Sequence, residues 1–188
     1  NEVSERHLCL ADRLAFTKAK QKELESFFTN NVWSFDDPKT VPGERILTAR
    51  FILTWKTQPD KSVKAKARLV LRGFQDPDAW EGTVPTSSPT TTRLSRSMLL
   101  SLASTMNWPI WTSDIATAFL QGKPQSRKLW VQLPNECLEL LGASPDTRML
   151  LLKPCYGQID APRAWYLAAV DKLKGMGLKQ HPQDPCCF

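Results

Sequence analysis

Two β-rich runs facing each other across a short polar turn constrain this fold more than any other part of the chain. The first is Arg45-Ile46-Leu47-Thr48-Ala49-Arg50-Phe51-Ile52-Leu53-Thr54-Trp55-Lys56, the turn is Gln58-Pro59-Asp60-Lys61, and the return is Lys64-Ala65-Lys66-Ala67-Arg68-Leu69-Val70-Leu71-Arg72. Such a pair predicts an antiparallel hairpin. Side chains alternate along a strand, so Lys64, Lys66, Arg68 and Arg72, an even number of positions apart, project from one face. A row of cations does not make a core. It is either a solvated face or a platform for an anion. The charge distribution bears on that choice. The chain carries a net charge of +6, yet residues 1–60 hold nine cations and nine anions and residues 129–188 hold six of each. Residues 61–128 hold ten against four, so the whole excess lies around this hairpin. A localised basic patch is the electrostatic footprint of a polyphosphate or nucleic-acid partner.

The rest of the 188 residues supplies a core for one domain, or one and a half. Residues 5–30 predict a helix with Leu8, Leu10, Leu14, Leu24, Phe27 and Phe28 as its apolar positions and Asn30-Asn31 as its stop. Asp36-Asp37-Pro38 and Val41-Pro42-Gly43 mark an irregular connection, and residues 76–92 a loop. Thr92 caps a helix from about Arg93 to Met106. Its stripe Leu94, Met98 and Leu102 is expected in the core, as is Trp165. Strands are expected at 109–115, 128–133 and 148–153, and a last helix over Pro162–Gly175, with Trp165, Ala169 and Leu173 stacked along it. Antiparallel strands with helices packed on one side indicate an α+β fold. No apolar run approaches the length of a membrane span, and the N-terminus lacks a signal-type core. The first residue is Asn1, as expected of an excised or partial chain.

Asp114 stands in Trp111-Thr112-Ser113-Asp114-Ile115-Ala116-Thr117-Ala118-Phe119-Leu120, which reads as a buried strand running into a short helical turn. A carboxylate there is either a satisfied structural group or a metal ligand. Cys9, Cys137, Cys155, Cys186 and Cys187 have no metal-ligand spacing, and with His7 and His181 as the only histidines a zinc site is not expected. Reduced thiols fit a protein of the cytosol or nucleus.

Five segments, in order, resemble the reverse transcriptase domain of copia-type retrotransposons. Lys66-Ala67-Arg68-Leu69-Val70-Leu71-Arg72-Gly73-Phe74-Gln75 is similar to the family's KARLVAKGF, and Ser113 through Gly122 to its MDVKTAFLNG. Leu129-Trp130-Val131-Gln132-Leu133-Pro134 is similar to its strand before a proline. Tyr156-Gly157-Gln158-Ile159-Asp160-Ala161-Pro162-Arg163-Ala164-Trp165-Tyr166 is similar to its YGLKQAPRAWY, and Asp184-Pro185-Cys186-Cys187-Phe188 to its DPCLF. The resemblance implies a partial fingers-and-palm polymerase fold. Residues 1–35 would be a helical lead-in, 36–105 the fingers with the basic hairpin, and 106–188 a partial palm that stops before the second catalytic hairpin. It implies Asp114 as the first catalytic aspartate and a Mg²⁺ ligand, with the Ile115 carbonyl as a further ligand. Lys66 and Arg68 would clamp the nucleotide phosphates, and Ala118, Phe119, Tyr156 and Gly157 would line the nucleotide pocket. Lys64, Arg72, Pro162 and Arg163 would contact nucleic acid. As a lone aromatic, Phe119 is equally a gate against the ribose 2′-hydroxyl and an ordinary core residue. The implied partners are an RNA or DNA template with its primer, a deoxynucleoside triphosphate and the remainder of a Pol polyprotein. The implied location is a cytoplasmic particle or the nucleus, without secretion or a membrane.

Two departures from the family pattern matter. The two aspartates of the family's Tyr-x-Asp-Asp hairpin do not occur in these residues, and one Asp cannot place the two Mg²⁺ ions, about 3.5–4 Å apart, that polymerisation uses. Alone, the 188 residues are therefore expected to be inactive. Asp160 stands where the family has Gln and is expected to repel an incoming nucleotide. Two other readings remain: a non-enzymatic nucleic-acid-binding remnant of a retroelement, and an unrelated α+β phosphate-binding module.

Overall fold

The computed structural model describes residues 2–36 and 41–188. The expected connection at Asp37-Pro38 lies outside the described residues. Helix α1 (Leu10–Thr29) leads into a five-stranded sheet with strands β1 (Trp33–Asp36), β2 (Ile46–Thr57), β3 (Val63–Leu71), β4 (Trp130–Gln132) and β5 (Arg148–Leu151). Their order across the sheet is β1-β5-β4-β2-β3. The sheet is mixed, because β2 and β4 run parallel while the other neighbours are antiparallel. The short helices α2 (Pro77–Trp80) and α4 (Asn135–Leu141) join α3 (Arg93–Thr105) and α5 (Ala161–Gly175). This is an α+β arrangement. No helix among the described residues is long and apolar enough to cross a membrane.

The hairpin forms as its residue pattern dictates. Lys66 lies opposite Thr54 and Arg68 opposite Ile52, while Ala67, Leu69 and Leu71 face Leu53, Phe51 and Ala49 on the buried side. Helix α1 packs on that side, but in a different rotational phase from the one its leucines suggest. Leu10 and Leu14 are exposed, and the buried stripe is Phe16, Lys20, Leu24 and Phe27. Phe16 meets Trp55 at 4.7 Å between ring centroids, and Phe27 stacks on Trp33 at 4.5 Å. A lysine sits in the stripe because Glu5 and Glu136 reach its ammonium at 2.7 and 2.5 Å. Burial works against the Lys20 charge, but these two carboxylates outweigh it and raise the pKa.

Two expectations fail at the same place. Residues 109–115 form no strand, and Ile110, Trp111 and Ile115 are exposed. A strand needs a partner for its backbone groups, and no strand among the described residues runs beside this segment. The stripe Leu94, Met98 and Leu102 of α3 is likewise exposed, not core, because nothing among the described residues packs across it. Trp165 is half-buried.

The start of α3 is held from a distance. Thr92 caps it, its hydroxyl accepting from the Ser95 N–H at 3.1 Å. Asp184, buried near the far end of the chain, accepts from the Thr92 N–H at 2.8 Å and the Cys186 N–H at 3.0 Å. Its contact with Ser95 and these backbone donors hold the carboxyl far below the usual carboxylate range. A group with a depressed folded pKa stabilises above its unfolded value of about 3.9 and loses that contribution as pH falls below it. Asp184→Asn therefore lowers the thermal unfolding midpoint at neutral pH, and the gap to the unsubstituted chain closes as pH drops below about 4.

Two glycines fix how the loop after β5 meets the hairpin. A Cβ on Gly73 would collide with the Gly157 carbonyl oxygen, and a Cβ on Gly157 would collide with the Leu71 carbonyl. Gly157 also has φ +98°, a region L-residues avoid. Overpacking and backbone strain add, so Gly157→Ala is expected to cost about 3 kcal/mol in urea unfolding, and Gly73→Ala a comparable amount.

Candidate functional site

The cationic face of β3 is real and open: Lys64, Lys66 and Arg68 are all exposed on it. Arg72 keeps the parity but lies past the strand end. It turns back onto β2, its backbone N–H donating to the Thr48 carbonyl at 2.9 Å and its Nη1 to the Thr48 hydroxyl at 3.2 Å. Arg68 lies over the Tyr156 ring, 5.3 Å from its centroid, a cation–π distance. The Phe119 ring tilts against the other side of this cluster, 5.7 Å from Tyr156. Tyr156 is anchored by its backbone, since its carbonyl accepts from the Leu71 N–H at 2.8 Å. The Gly73–Gly157 crossing allows that approach. Burial pushes the Tyr156 phenol up, helped by Glu23 and opposed by Arg68.

Asp114 lies in the irregular segment before this cluster. It is exposed and makes no ion pair among the described residues. Its charge is felt by Lys66. Burial and the neighbouring Arg68 and Lys56 pull the Lys66 ammonium down, while Glu23 and Asp114 oppose them. After Asp114 and the exposed Ile115, Thr117 adopts a left-handed conformation (φ +51°) and starts a 3-10 turn over Ala118–Gln121. The side-chain amide of Gln121 donates to the Ala116 carbonyl at 2.9 Å and closes the turn. Gly122 then passes tightly against Ala164 of α5, and the Lys123 N–H donates to the Ala164 carbonyl at 3.2 Å. The expected helical turn is thus present, with Ala118 and Phe119 half-buried in it.

Magnesium takes oxygen ligands and commonly one or two carboxylates plus substrate phosphate. Asp114 offers one accessible carboxylate of that kind. No group of three His, Cys, Asp or Glu among the described residues could hold a metal ion. The donor set fits a metal that a phosphate brings with it, and does not fit one held by these residues alone.

Pro162 is half-buried in the first turn of α5. Arg163 donates to the Ser87 carbonyl at 2.9 Å, which ties the 76–92 loop to α5. Asp160 departs from its expected role. It is buried and turned inward, 2.7 Å from the Arg127 guanidinium, which pairs with its charge. Arg127 also binds Asp76 and reaches Asp78 at 3.4 Å, and Asp78 in turn pairs with Arg45 at 3.0 Å. Burial works against the Arg127 charge, and Asp76 and Asp160 outweigh it. This cluster joins the turn after the hairpin to the start of α5. Sequence reasoning missed Arg127, because its three partners are 33 to 51 residues away. It also missed Glu23 of α1, which accepts from the Leu69 N–H at 3.2 Å on the outer edge of β3. Burial raises its carboxyl pKa, against the pull of that N–H and of Arg68 and Lys66.

Removing Arg127 leaves the buried Asp76 without a counter-charge. Arg127→Met is expected to destabilise by about 3 kcal/mol in chemical denaturation, and Asp160→Asn by clearly less.

Comparisons with known proteins identify the family of this chain. The family model described as reverse transcriptase (RNA-dependent DNA polymerase) matches residues 30–188. The chain is 31% identical over 173 residues to the retrovirus-related Pol polyprotein from transposon TNT 1-94 of Nicotiana tabacum, a match covering 91% of this chain and 12% of the relative. It is 30% identical over 172 residues to the one from transposon RE2 of Arabidopsis thaliana, with 91% and 12% covered. With the one from transposon RE1 of the same plant the identity is 29% over 172 residues, with 90% and 11% covered. The chain thus spans about one eighth of the length of these relatives. No solved structure matches it.

Proposed function

The chain belongs to the reverse transcriptase (RNA-dependent DNA polymerase) family, and we propose that it supplies the fingers and part of the palm of a retrotransposon polymerase within a longer Pol polyprotein. In this reading residues 1–35 lead in, residues 36–105 form the fingers with the β2–β3 hairpin, and residues 106–188 belong to the palm. The observation that carries it is the convergence of Arg68, Tyr156 and Phe119 into one cluster, with the exposed Asp114 in the segment that leads into the Phe119 turn.

The chemistry follows from the residue types. Arg68 offers a planar fork to the β and γ phosphates of an incoming deoxynucleotide, and Lys66 a point charge. Tyr156 keeps the guanidinium in place from below. Phe119, with Ala118 and Gly157 around it, would pack under the sugar, where a 2′-hydroxyl has no room. Mg²⁺, when bound, supplies charge neutralisation at the reacting phosphate. Asp114 and the Ile115 carbonyl would hold it together with phosphate oxygens and with carboxylates from elsewhere in the polyprotein. Lys64 and Arg72 would meet template or primer phosphates, with Pro162 and Arg163 shaping the template side. Such contacts fix position and carry little sequence information.

In a polypeptide that extends this chain through the rest of the palm, Asp114→Asn lowers Mg²⁺-dependent primer extension by at least about 10³-fold, the loss expected for a group worth several kcal/mol in the transition state. Extension retained in that variant overturns the assignment and leaves a nucleic-acid-binding remnant as the explanation. Phe119→Ala is expected to raise ribonucleotide incorporation relative to deoxynucleotide by roughly 10- to 100-fold, the loss of a steric contact worth about 1–3 kcal/mol.

A further inference from the structure

Helix α3 is barely embedded in the fold. Of its 13 residues only Ala103 is buried. Leu94, Met98, Leu99, Leu102 and Met106 are each between 46% and 70% exposed, and at 3.6 residues per turn all five fall on one half of the helix. Arg93, Arg96, Ser97 and Ser104 stand on the opposite half. The start of the helix is nevertheless held firmly, by the Thr92 cap and by Asp184, which also takes up Ser95 at the head of the apolar half. Single exposed leucines need no explanation, but a contiguous apolar stripe on an anchored helix marks an interface.

The stripe and the charges of α3 match it to itself. Leu94, Met98, Leu102 and Met106 form one row at four-residue spacing, the kind of ridge that packs into the grooves of a second helix. The row is symmetric about its midpoint, so in an antiparallel pair Met98 meets Leu102 of the second copy and Leu94 lies toward its Met106. Charge favours the same orientation. The N-terminal end of a helix favours anions and the C-terminal end cations. Helix α3 has no acid in its first turn and no base in its last, and Arg93 and Arg96 stand at its N-terminal end. Neither arginine makes an ion pair among the described residues. An antiparallel second copy brings its C-terminal end, with the negative pole of its dipole, beside these two cations. The area is sufficient. Five such side chains each offer on the order of 100 Å² for burial, so two copies would cover about 1,000 Å², the lower bound of a specific interface.

We propose that the exposed face of α3 is taken by the same face of a second copy of this chain, as an antiparallel two-fold pair centred between Met98 and Leu102. A two-fold contact is self-complementary and closes on itself, so it ends at the dimer. The pairing goes beyond the polymerase reading and does not rest on it. It uses neither the cationic face of β3 nor the cluster of Arg68, Tyr156 and Phe119.

The test is sedimentation velocity of the 188-residue chain over a concentration series from about 1 to about 100 µM, the range in which an interface of this size dissociates. A monomer–dimer equilibrium is expected. Met98→Glu and Leu102→Lys each place a charge at the centre of the contact and weaken the dimer by roughly tenfold or more. Both sites are exposed in the monomer, so the urea unfolding midpoint at a concentration where the chain is monomeric stays unchanged. An equimolar mixture of the two variants recovers the dimer, because Glu at position 98 of one copy then meets Lys at position 102 of the other. Arg93→Glu/Arg96→Glu favours the solitary helix and opposes the pair, so it lowers dimer affinity without lowering the unfolding midpoint. A chain that stays monomeric throughout the series overturns the proposal. So do single variants that dimerise like the unsubstituted chain, and a mixture that recovers nothing. Open-ended aggregates in place of a dimer overturn it in favour of unspecific sticking. A polypeptide extended through the rest of the palm that is monomeric at the same concentrations overturns it in favour of the following residues as the cover of α3. Failure of the polymerase reading shows elsewhere, as primer extension surviving Asp114→Asn, and leaves these sedimentation results unaffected.

Discussion

At Gly73 and Gly157 two stretches of backbone pass with no side chain between them, and the geometry of the candidate site follows from that crossing. It lets the Tyr156 carbonyl reach the Leu71 N–H, so the loop after β5 extends the edge of the hairpin. Tyr156 is then set under Arg68 and against Phe119. Arg127 holds the same junction from the other side, through Asp76 on the hairpin side and Asp160 at the head of α5. A carbonyl-to-amide bond and a buried charge cluster thus fasten one loop to one hairpin. Such two-point attachment gives a loop of irregular backbone the rigidity that a positioned site requires.

Charge in this molecule is sorted by depth. Inside, charges are met by opposite charges or backbone donors: Lys20 by Glu5 and Glu136, Arg127 by its aspartates, and Asp184 by two N–H groups. Burying such groups singly would cost several kcal/mol, so the pairing is a condition of the fold. Along β3 the pattern reverses, and Lys64 and Lys66 make no ion pair among the described residues. Burial is the first cause of the lowered Lys66 pKa, and the repulsion of the nearby Arg68 and Lys56 adds to it. A phosphate placed there would relieve that repulsion, as the proposed nucleotide site requires.

What the sequence made legible was local. The hairpin and its cationic face follow from a two-residue period that no distant contact is needed to complete. The Thr92 cap of α3 and the proline-led start of α5 were likewise readable from neighbours in sequence. The phase of α1 was not, since a lysine belongs to its buried stripe only because two glutamates reach it from elsewhere. The segment 109–115 has the composition of a strand, but a strand is a relation between two segments, and its partner is absent from the described residues. Asp160 looked like a charge facing a ligand because Arg127, its counter-charge, carries no motif. The resemblance brought Asp114, Arg68, Phe119 and Tyr156 to notice. The structure adds how the last three touch, and that Glu23 and Arg127 support them.

The start of α3 is completed by residues some ninety positions further on, where Asp184 receives the Thr92 N–H. A boundary drawn anywhere before that aspartate would remove the acceptor and leave an amide at the head of a helix to water. Anyone trimming this polypeptide into a smaller expression unit would be cutting a tie that spans about half its length, even where the excised tail looks like disposable coil.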